Sequence, residues 1–185
     1  MRFLCWLLIS FLLGGCASQP VAVRPAQYES VAFAMNGRIS VRHNGVRDSA
    51  SLRWTHQAQT DEILLLTPLG QTAARIYRDE DHATLDDGGR HYQDSDVESL
   101  MMQVLGWRLQ LNSLHQWVLG LPAEGAVQLE RDALGRITQL AQDGWEVRYL
   151  GFAGDKADSL PKRLQLSRND LQLTLLIDEW EWKEK

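Results

Sequence analysis

The stretch Phe33-Ala34-Met35-Asn36-Gly37-Arg38-Ile39-Ser40-Val41-Arg42 decides the fold. Its odd positions are apolar or glycine and its even positions mostly polar, the period of two of a strand with one face buried and one wet. Asn44-Gly45 follows, and both residues tolerate the positive φ that a two-residue hairpin turn demands. The chain therefore returns through Val46 to His56, placing Ala50, Leu52 and Trp54 on the inner face.

Working outward, Glu62 to Thr67 and Gln71 to Tyr77 read as the next two strands, joined at Pro68-Leu69-Gly70. His82 to Asp86 and Arg90 to Gln93 make six, with Asp87-Gly88-Gly89 as their turn. The period then becomes helical. Ser95-Asp96-Val97-Glu98 has the spacing of a capping box, with Ser95 as the cap. Val97, Leu100, Met101, Val104 and Leu105 form one apolar stripe, and Gly106 can end the helix in the left-handed conformation. A second helix is predicted from Ser113 to Leu119, with Leu114, Trp117 and Val118 as its apolar face and Gly120 as its stop.

Strand patterns resume at Ala126 to Arg131, Arg136 to Gln142, Trp145 to Phe152, Lys162 to Ser167 and Leu171 to Trp182, with turns at Asp143-Gly144 and Asn169-Asp170. The last strand changes parity. Leu171, Leu173, Leu175 and Ile177 share a face, while Trp180 and Trp182 fall on the other, so a bulge or a bend off the sheet is expected. The total is eleven strands, six before the helical insert and five after it. A mainly β, α+β chain follows, a curved antiparallel sheet packed against a helical insert. Ala153 to Pro161 is the candidate mobile loop.

The amino terminus carries a different signal. Arg2 precedes the run from Phe3 to Leu13, in which only Ser10 is not apolar. Eleven helical residues rise about 16 Å, too little for a hydrocarbon layer of roughly 30 Å, so the run reads as an export signal and not a membrane anchor. It ends in Leu13-Gly14-Gly15-Cys16, which resembles the lipobox of signal peptidase II substrates. Residues 1–15 are thus expected to be removed, leaving Cys16 as the lipid site, residues 16–25 as lipidated terminus and tether, and 26–185 as a single domain. Cys5 lies in the removed segment, so the mature chain has no second thiol and its fold rests on burial, not disulfides.

The formal net charge is −5, and loss of Arg2 takes it to −6. A mildly acidic body without a long basic run argues against nucleic acid. His43, His56, His82, His91 and His115 show no metal-ligand spacing. Ser113 and His115 are neighbours, yet no nucleophile elbow is present, and Asp86-Asp87 reads as a solvated turn. Neither a catalytic centre nor a metal site is expected. Two apolar features stand out instead. Leu69 is a large aliphatic residue at the centre of a turn, pointing either into solvent or back onto its own sheet. The inner face carries Trp54, Trp117 and Trp145, for which a packed core is the default and a ligand cavity the alternative.

Leu111-Asn112-Ser113-Leu114-His115-Gln116-Trp117-Val118-Leu119-Gly120-Leu121-Pro122, with Leu64-Leu65-Leu66-Thr67-Pro68-Leu69-Gly70, resembles the LolB family over roughly Phe33 to Trp182. The resemblance implies an incomplete, unclosed antiparallel barrel closed by a helical lid, with an apolar cavity for acyl chains. It implies transfer of client outer-membrane lipoproteins from the periplasmic carrier LolA into outer-membrane lipid by a monomer on the periplasmic face of that membrane. Pro68, Leu69 and Gly70 match the family's protruding transfer loop, and Phe33, Met35, Ile39, Leu52, Trp54 and Trp117 are the cavity candidates. No cofactor is implied beyond the N-acyl and S-diacylglycerol groups on Cys16. Ala17 after the cysteine, in place of the Asp that marks inner-membrane retention, fits outer-membrane delivery. Ala26 to Ala32 leaves room for two helical turns at most, so the usual first helix is expected to be short. The alternative is a structural or binding lipoprotein with no lipid cavity.

Overall fold

The computed structural model describes residues 32–182. The expected signal peptide, Cys16, the expected tether and the expected short helix before Ala32 lie outside the described residues. The elements are β1 (Phe33–His43), β2 (Val46–Gln57), β3 (Thr60–Leu66), β4 (Thr72–Arg78), β5 (Ala83–Asp86), β6 (His91–Asp94), α1 (Val97–Leu105), α2 (Leu111–Val118), β7 (Gln128–Arg131), β8 (Ile137–Gln142), β9 (Trp145–Phe152), β10 (Pro161–Arg168) and β11 (Leu171–Trp182).

All eleven strands form one antiparallel sheet in the order β6-β5-β4-β3-β2-β1-β11-β10-β9-β8-β7. Each half is a meander of sequence neighbours, and the halves join where the first strand pairs with the last. The sheet is not closed, and its edges β6 and β7 are the two strands that flank the helices. A connection between opposite edges must cross a face, and the apolar stripes of α1 and α2 settle which one. They bury Leu100, Met101, Leu111, Leu114 and Trp117 against the inner sides of the strands. Trp54, Trp117 and Trp145 are almost wholly buried there. Each such side chain removes roughly 150–250 Å² from water, about 4 to 6 kcal/mol at about 25 cal/mol/Å² as an upper estimate.

Local chemistry sets the boundaries. Asn44, Asp143 and Asn169 take positive φ in the hairpin turns where the sequence placed them. The parity change in β11 is a bulge: Asn36 pairs with Glu179 but Gly37 with Ile177, so Asp178 is the extra residue. It brings Trp180 opposite Met35 and Trp182 opposite Phe33, returning both tryptophans toward the inner face. The approach is so close that a β-carbon at Gly37 would run into the Leu176 carbonyl oxygen.

Three expectations need correction. Ser95 does not cap α1. Asp96 does, with extended backbone (φ −126°, ψ 120°) and a carboxylate that accepts from the Ser99 N–H at 2.8 Å, while the Ser95 hydroxyl turns back to Asp94. The carboxylate also suits the positive end of the helix dipole, and hydrogen bonding from Ser99, its side chain first and its backbone N–H after, holds the Asp96 pKa below the ordinary range. The second helix starts at Leu111, two residues early, because its first turn buries Leu111 as well as Leu114. It ends as expected at Gly120, whose φ of +75° lets the Leu121 and Gly120 N–H groups reach the Gln116 and Trp117 carbonyls. The seventh strand begins only at Gln128, since the chain from Leu119 to Val127 is still returning from the inner face to the sheet edge.

Candidate functional site

An apolar cavity of about 60 Å³ lies between the sheet and the helical layer. Its sheet wall includes Met35 and Ile39 from β1, Leu52 and Trp54 from β2, and Ile63 and Leu65 from β3. Its roof is Met101 of α1, Leu111 and Leu114 of α2, and Trp107 and Leu109 of the connection between them. No polar side chain lines it. For scale, a cavity of about 150 Å³ accommodates one benzene molecule. The described cavity is therefore too small for a ligand of even that size unless the roof moves away from the sheet.

Four of the six cavity candidates, Met35, Ile39, Leu52 and Trp54, are brought together in this lining. Phe33 and Trp117 are not. Phe33 lies beyond the end of the cavity, its ring 5.3 Å from Trp54, 5.2 Å from His56 and 5.3 Å from Trp180. Trp117 points the other way, to a ring contact with Trp145 at 6.2 Å and a hydrogen bond from its indole N–H to Gln142 Oε1 at 3.1 Å. Gln142 is itself buried and saturated, accepting from the Ala123 N–H and donating to the Ala123 and Glu124 carbonyls. Tyr149 donates its hydroxyl to the Trp117 carbonyl at 2.9 Å. Trp117 thus clamps the carboxyl end of the roof and does not line the pocket. Trp107 and Leu109 escaped sequence reasoning because they sit in a connection with no period. Met101, Leu111 and Leu114 carried a signal, helical apolar spacing, that also describes plain core.

The amino end of α2 is held by a buried polar group. Asp61 of β3, with a fully buried side chain, accepts from the Trp54 indole N–H at 2.7 Å, from His56 Nδ1 at 2.8 Å and from Arg78 Nε at 2.6 Å. Burial pushes the Asp61 carboxyl up, but the His56 hydrogen bond, the charges of His56 and Arg78 and the Trp54 hydrogen bond together leave it below its ordinary value. Arg78 donates onward to Asn112 Oδ1 of α2 at 2.6 Å, and the His115 ring of α2 stacks on His56. Burial holds the His115 pKa below its ordinary value, with the neighbouring His56 adding to the effect. Ionic and hydrogen-bonding groups at both ends of α2 thus flank a roof otherwise held by apolar contact.

The turn between β3 and β4 presents Leu69. Gly70 donates its N–H to the Thr67 carbonyl at 2.8 Å with φ +79°, closing a tight turn with Pro68 and Leu69 at its corners. Leu69 is 88 % exposed, the highest value of any large apolar side chain among the described residues. It points into solvent and does not fold back. The five histidines are scattered apart from the His56–His115 stack, and no cluster able to hold a metal ion occurs among the described residues.

The family model described as "Outer membrane lipoprotein LolB" matches residues 31–180. An outer-membrane lipoprotein LolB from Chromobacterium violaceum is 36% identical over 184 residues, covering 98% of this chain and 99% of that one. Its counterpart from Azoarcus is 36% identical over 92% of this chain and 90% of its own, and that from Pseudomonas paraeruginosa 37% identical over 81% and 74%. In fold, the chain is similar to a LolA superfamily protein from Nitrosomonas europaea, with a TM-score of 0.50 at 10% identity over 85% of this chain and 88% of that one. A DUF1329 family protein from Desulfovibrio piger gives 0.53 at 6% identity over 84% and 87%.

Proposed function

The chain belongs to the LolB family of outer-membrane lipoproteins, and from that membership we propose that it takes client lipoproteins from the periplasmic carrier LolA, holds their acyl chains between sheet and helices, and passes them into the outer membrane. The family is one of lipoprotein receptors in the lipoprotein localisation pathway, not of enzymes. The observation that carries the proposal is the cavity whose lining is apolar throughout.

No bond is made or broken in this scheme. Each methylene taken out of water contributes about 0.8 kcal/mol, so a client moves along rising apolar affinity from carrier to acceptor to bilayer. Opening requires α1, α2 and the connection carrying Trp107 and Leu109 to lift from Leu52, Trp54 and Ile63. The client's chains then replace the contacts that the roof gives up, which keeps the cost of opening small. No helix among the described residues is long and apolar enough to cross a membrane. Anchoring is assigned to N-acyl and S-diacylglycerol groups on Cys16, and membrane entry to the Pro68-Leu69-Gly70 turn.

The test uses carrier-bound, lipid-labelled client and a fluorescent fatty acid. The protein should take the client from the carrier, and acylated peptide should displace the fatty acid while the same peptide without lipid does not. A protein that binds neither has a solid core, and the reading would then be that of a structural lipoprotein.

A further inference from the structure

The face of the sheet turned away from the helices holds a depression of about 550 Å³ beside the Leu69 turn, and the strand register shows how it is built. Ser49 of β2, Ser40 of β1 and Thr174 of β11 stand side by side across three strands, with Ser51 one row further on. Short hydroxyl side chains leave a trough where longer ones would fill it. Arg38 of β1 and Arg163 of β10, on either side of Leu176 in the Ser51 row, wall one end. One row beyond the serines in the other direction, Arg42 and Arg47 face each other directly across the β1–β2 hairpin. Pro68 closes the side, so the trough opens next to Leu69.

Arg38 is engaged by Asp178 at 3.0 and 3.2 Å. Arg42, Arg47 and Arg163 are exposed and have no carboxylate partner among the described residues. Like charges directly opposite on a sheet are destabilising, and this chain is acidic overall, so the arrangement is not a by-product of composition. No ion pair among the described residues offsets it. Guanidinium groups fork onto phosphate oxygens with two donors each, and small hydroxyls add further donors. The same end of the sheet carries its two most exposed apolar side chains, Leu69 at 88 % and Val46 at 60 %, because β3 ends opposite Ser51 while β2 runs on to Val46. With these tips in the apolar layer, the trough stands at the depth of the headgroups.

We propose that this trough binds the phosphate of anionic phospholipid headgroups and seats the Leu69 end of the protein on the membrane while a client is unloaded. The inference rests on the reading that Leu69 enters the bilayer. Near a charged leaflet each arginine is worth about fivefold, and screening reduces this at exposed positions.

The experiment follows client delivery from the full-length anchored protein into acceptor vesicles of phosphatidylcholine alone or with phosphatidylglycerol, and client receipt from the carrier without vesicles. The parent should deliver faster into the phosphatidylglycerol vesicles, and high salt should erase the difference. Replacing Arg42, Arg47 and Arg163 with Gln should slow delivery into those vesicles by about tenfold, leaving phosphatidylcholine delivery and receipt unchanged. A parent indifferent to phosphatidylglycerol, or a triple variant that keeps the parent's preference or loses delivery into both vesicles equally, would overturn the proposal. A triple variant defective in receipt would overturn it in favour of a protein-docking face. Leu69→Glu separates the two readings: normal delivery by that variant removes the loop's role, whereas the charge dependence of the arginine variant still reports on the trough.

Discussion

The ring of His115, on the helix that roofs the cavity, lies parallel to that of His56 on the sheet, with centroids 4.7 Å apart and an interplanar angle of 12°. Only one of the two faces the Asp61 carboxylate at hydrogen-bond distance, His56 at 2.8 Å. His115, disfavoured as a cation by burial first and by His56 second, has a folded pKa below 6.5. The unfolded chain therefore takes up this proton first. Stability should begin to fall as pH drops through about 6.5 and level off, for this group, once pH passes the folded value. His115→Phe keeps a ring over His56 without a proton to gain, and urea unfolding between pH 7 and 5 should show a smaller loss than the parent. An unchanged pH slope in that variant would remove His115 from the account.

Asp61 acts in the opposite sense. Its folded pKa is depressed, so its contribution is present at neutral pH and lost as acid takes the pH down through the folded value. Asp61→Asn leaves Arg78 facing an amide and should cost about 3 kcal/mol at pH 7, the usual scale for breaking a buried pair. The exposed pair Arg38–Asp178 offers the control, since Arg38→Gln should leave the urea midpoint almost unmoved.

Gly37 owes its place to the bulge at Asp178. A methyl group there meets the Leu176 carbonyl, which is backbone and cannot swing aside. Gly37→Ala should destabilise by about 2 to 3 kcal/mol, on the scale of overpacking. Gly89→Ala, with open space around its β-carbon, should stay within about 0.5 kcal/mol of the parent. Equal melting temperatures for the two variants would contradict the close approach.

Leu69 is an exposed side chain on a closed turn, so its replacement tests function almost free of stability. Leu69→Glu should unfold within about 0.5 kcal/mol of the parent, far from the roughly 2 to 5 kcal/mol of a core leucine truncation. Client receipt should proceed, and release into membranes should stall, because a carboxylate at the tip opposes entry into the apolar layer. Accumulation of client-bound protein is the expected readout.

Cys16→Ala should block lipidation and leave the precursor uncut or the protein detached from the membrane. The body should nevertheless fold cooperatively, since the eleven-stranded sheet of the described residues includes no part of the lipid-bearing terminus. Membrane fractionation with radiolabelled palmitate decides the first point and thermal unfolding the second; lipid incorporation by the variant would displace the modification site.

The sequence by itself determined whatever depends on near neighbours. Alternation from Phe33 to Arg42 marks a two-faced strand because the pleat repeats every two residues. Asn44-Gly45, Asp143-Gly144 and Asn169-Asp170 fix turns because the φ they need is a property of the residues themselves. Even the β11 bulge was legible, as a break in parity, though a bend off the sheet remained open until Ile177 and Glu179 were seen to pair with adjacent β1 residues. Tertiary structure alone decided the pairing of β1 with β11, which puts β6 and β7 at opposite edges and forces the helices across the inner face. It decided that Trp117 serves Gln142, 25 residues away, and not the cavity, and it brought Trp107 and Leu109 into the roof. Arginines from β1, β2 and β10 likewise meet on one outer face only through that pairing. Contacts between residues far apart in sequence leave no local period, because each partner satisfies its own strand or helix pattern whichever neighbour it meets.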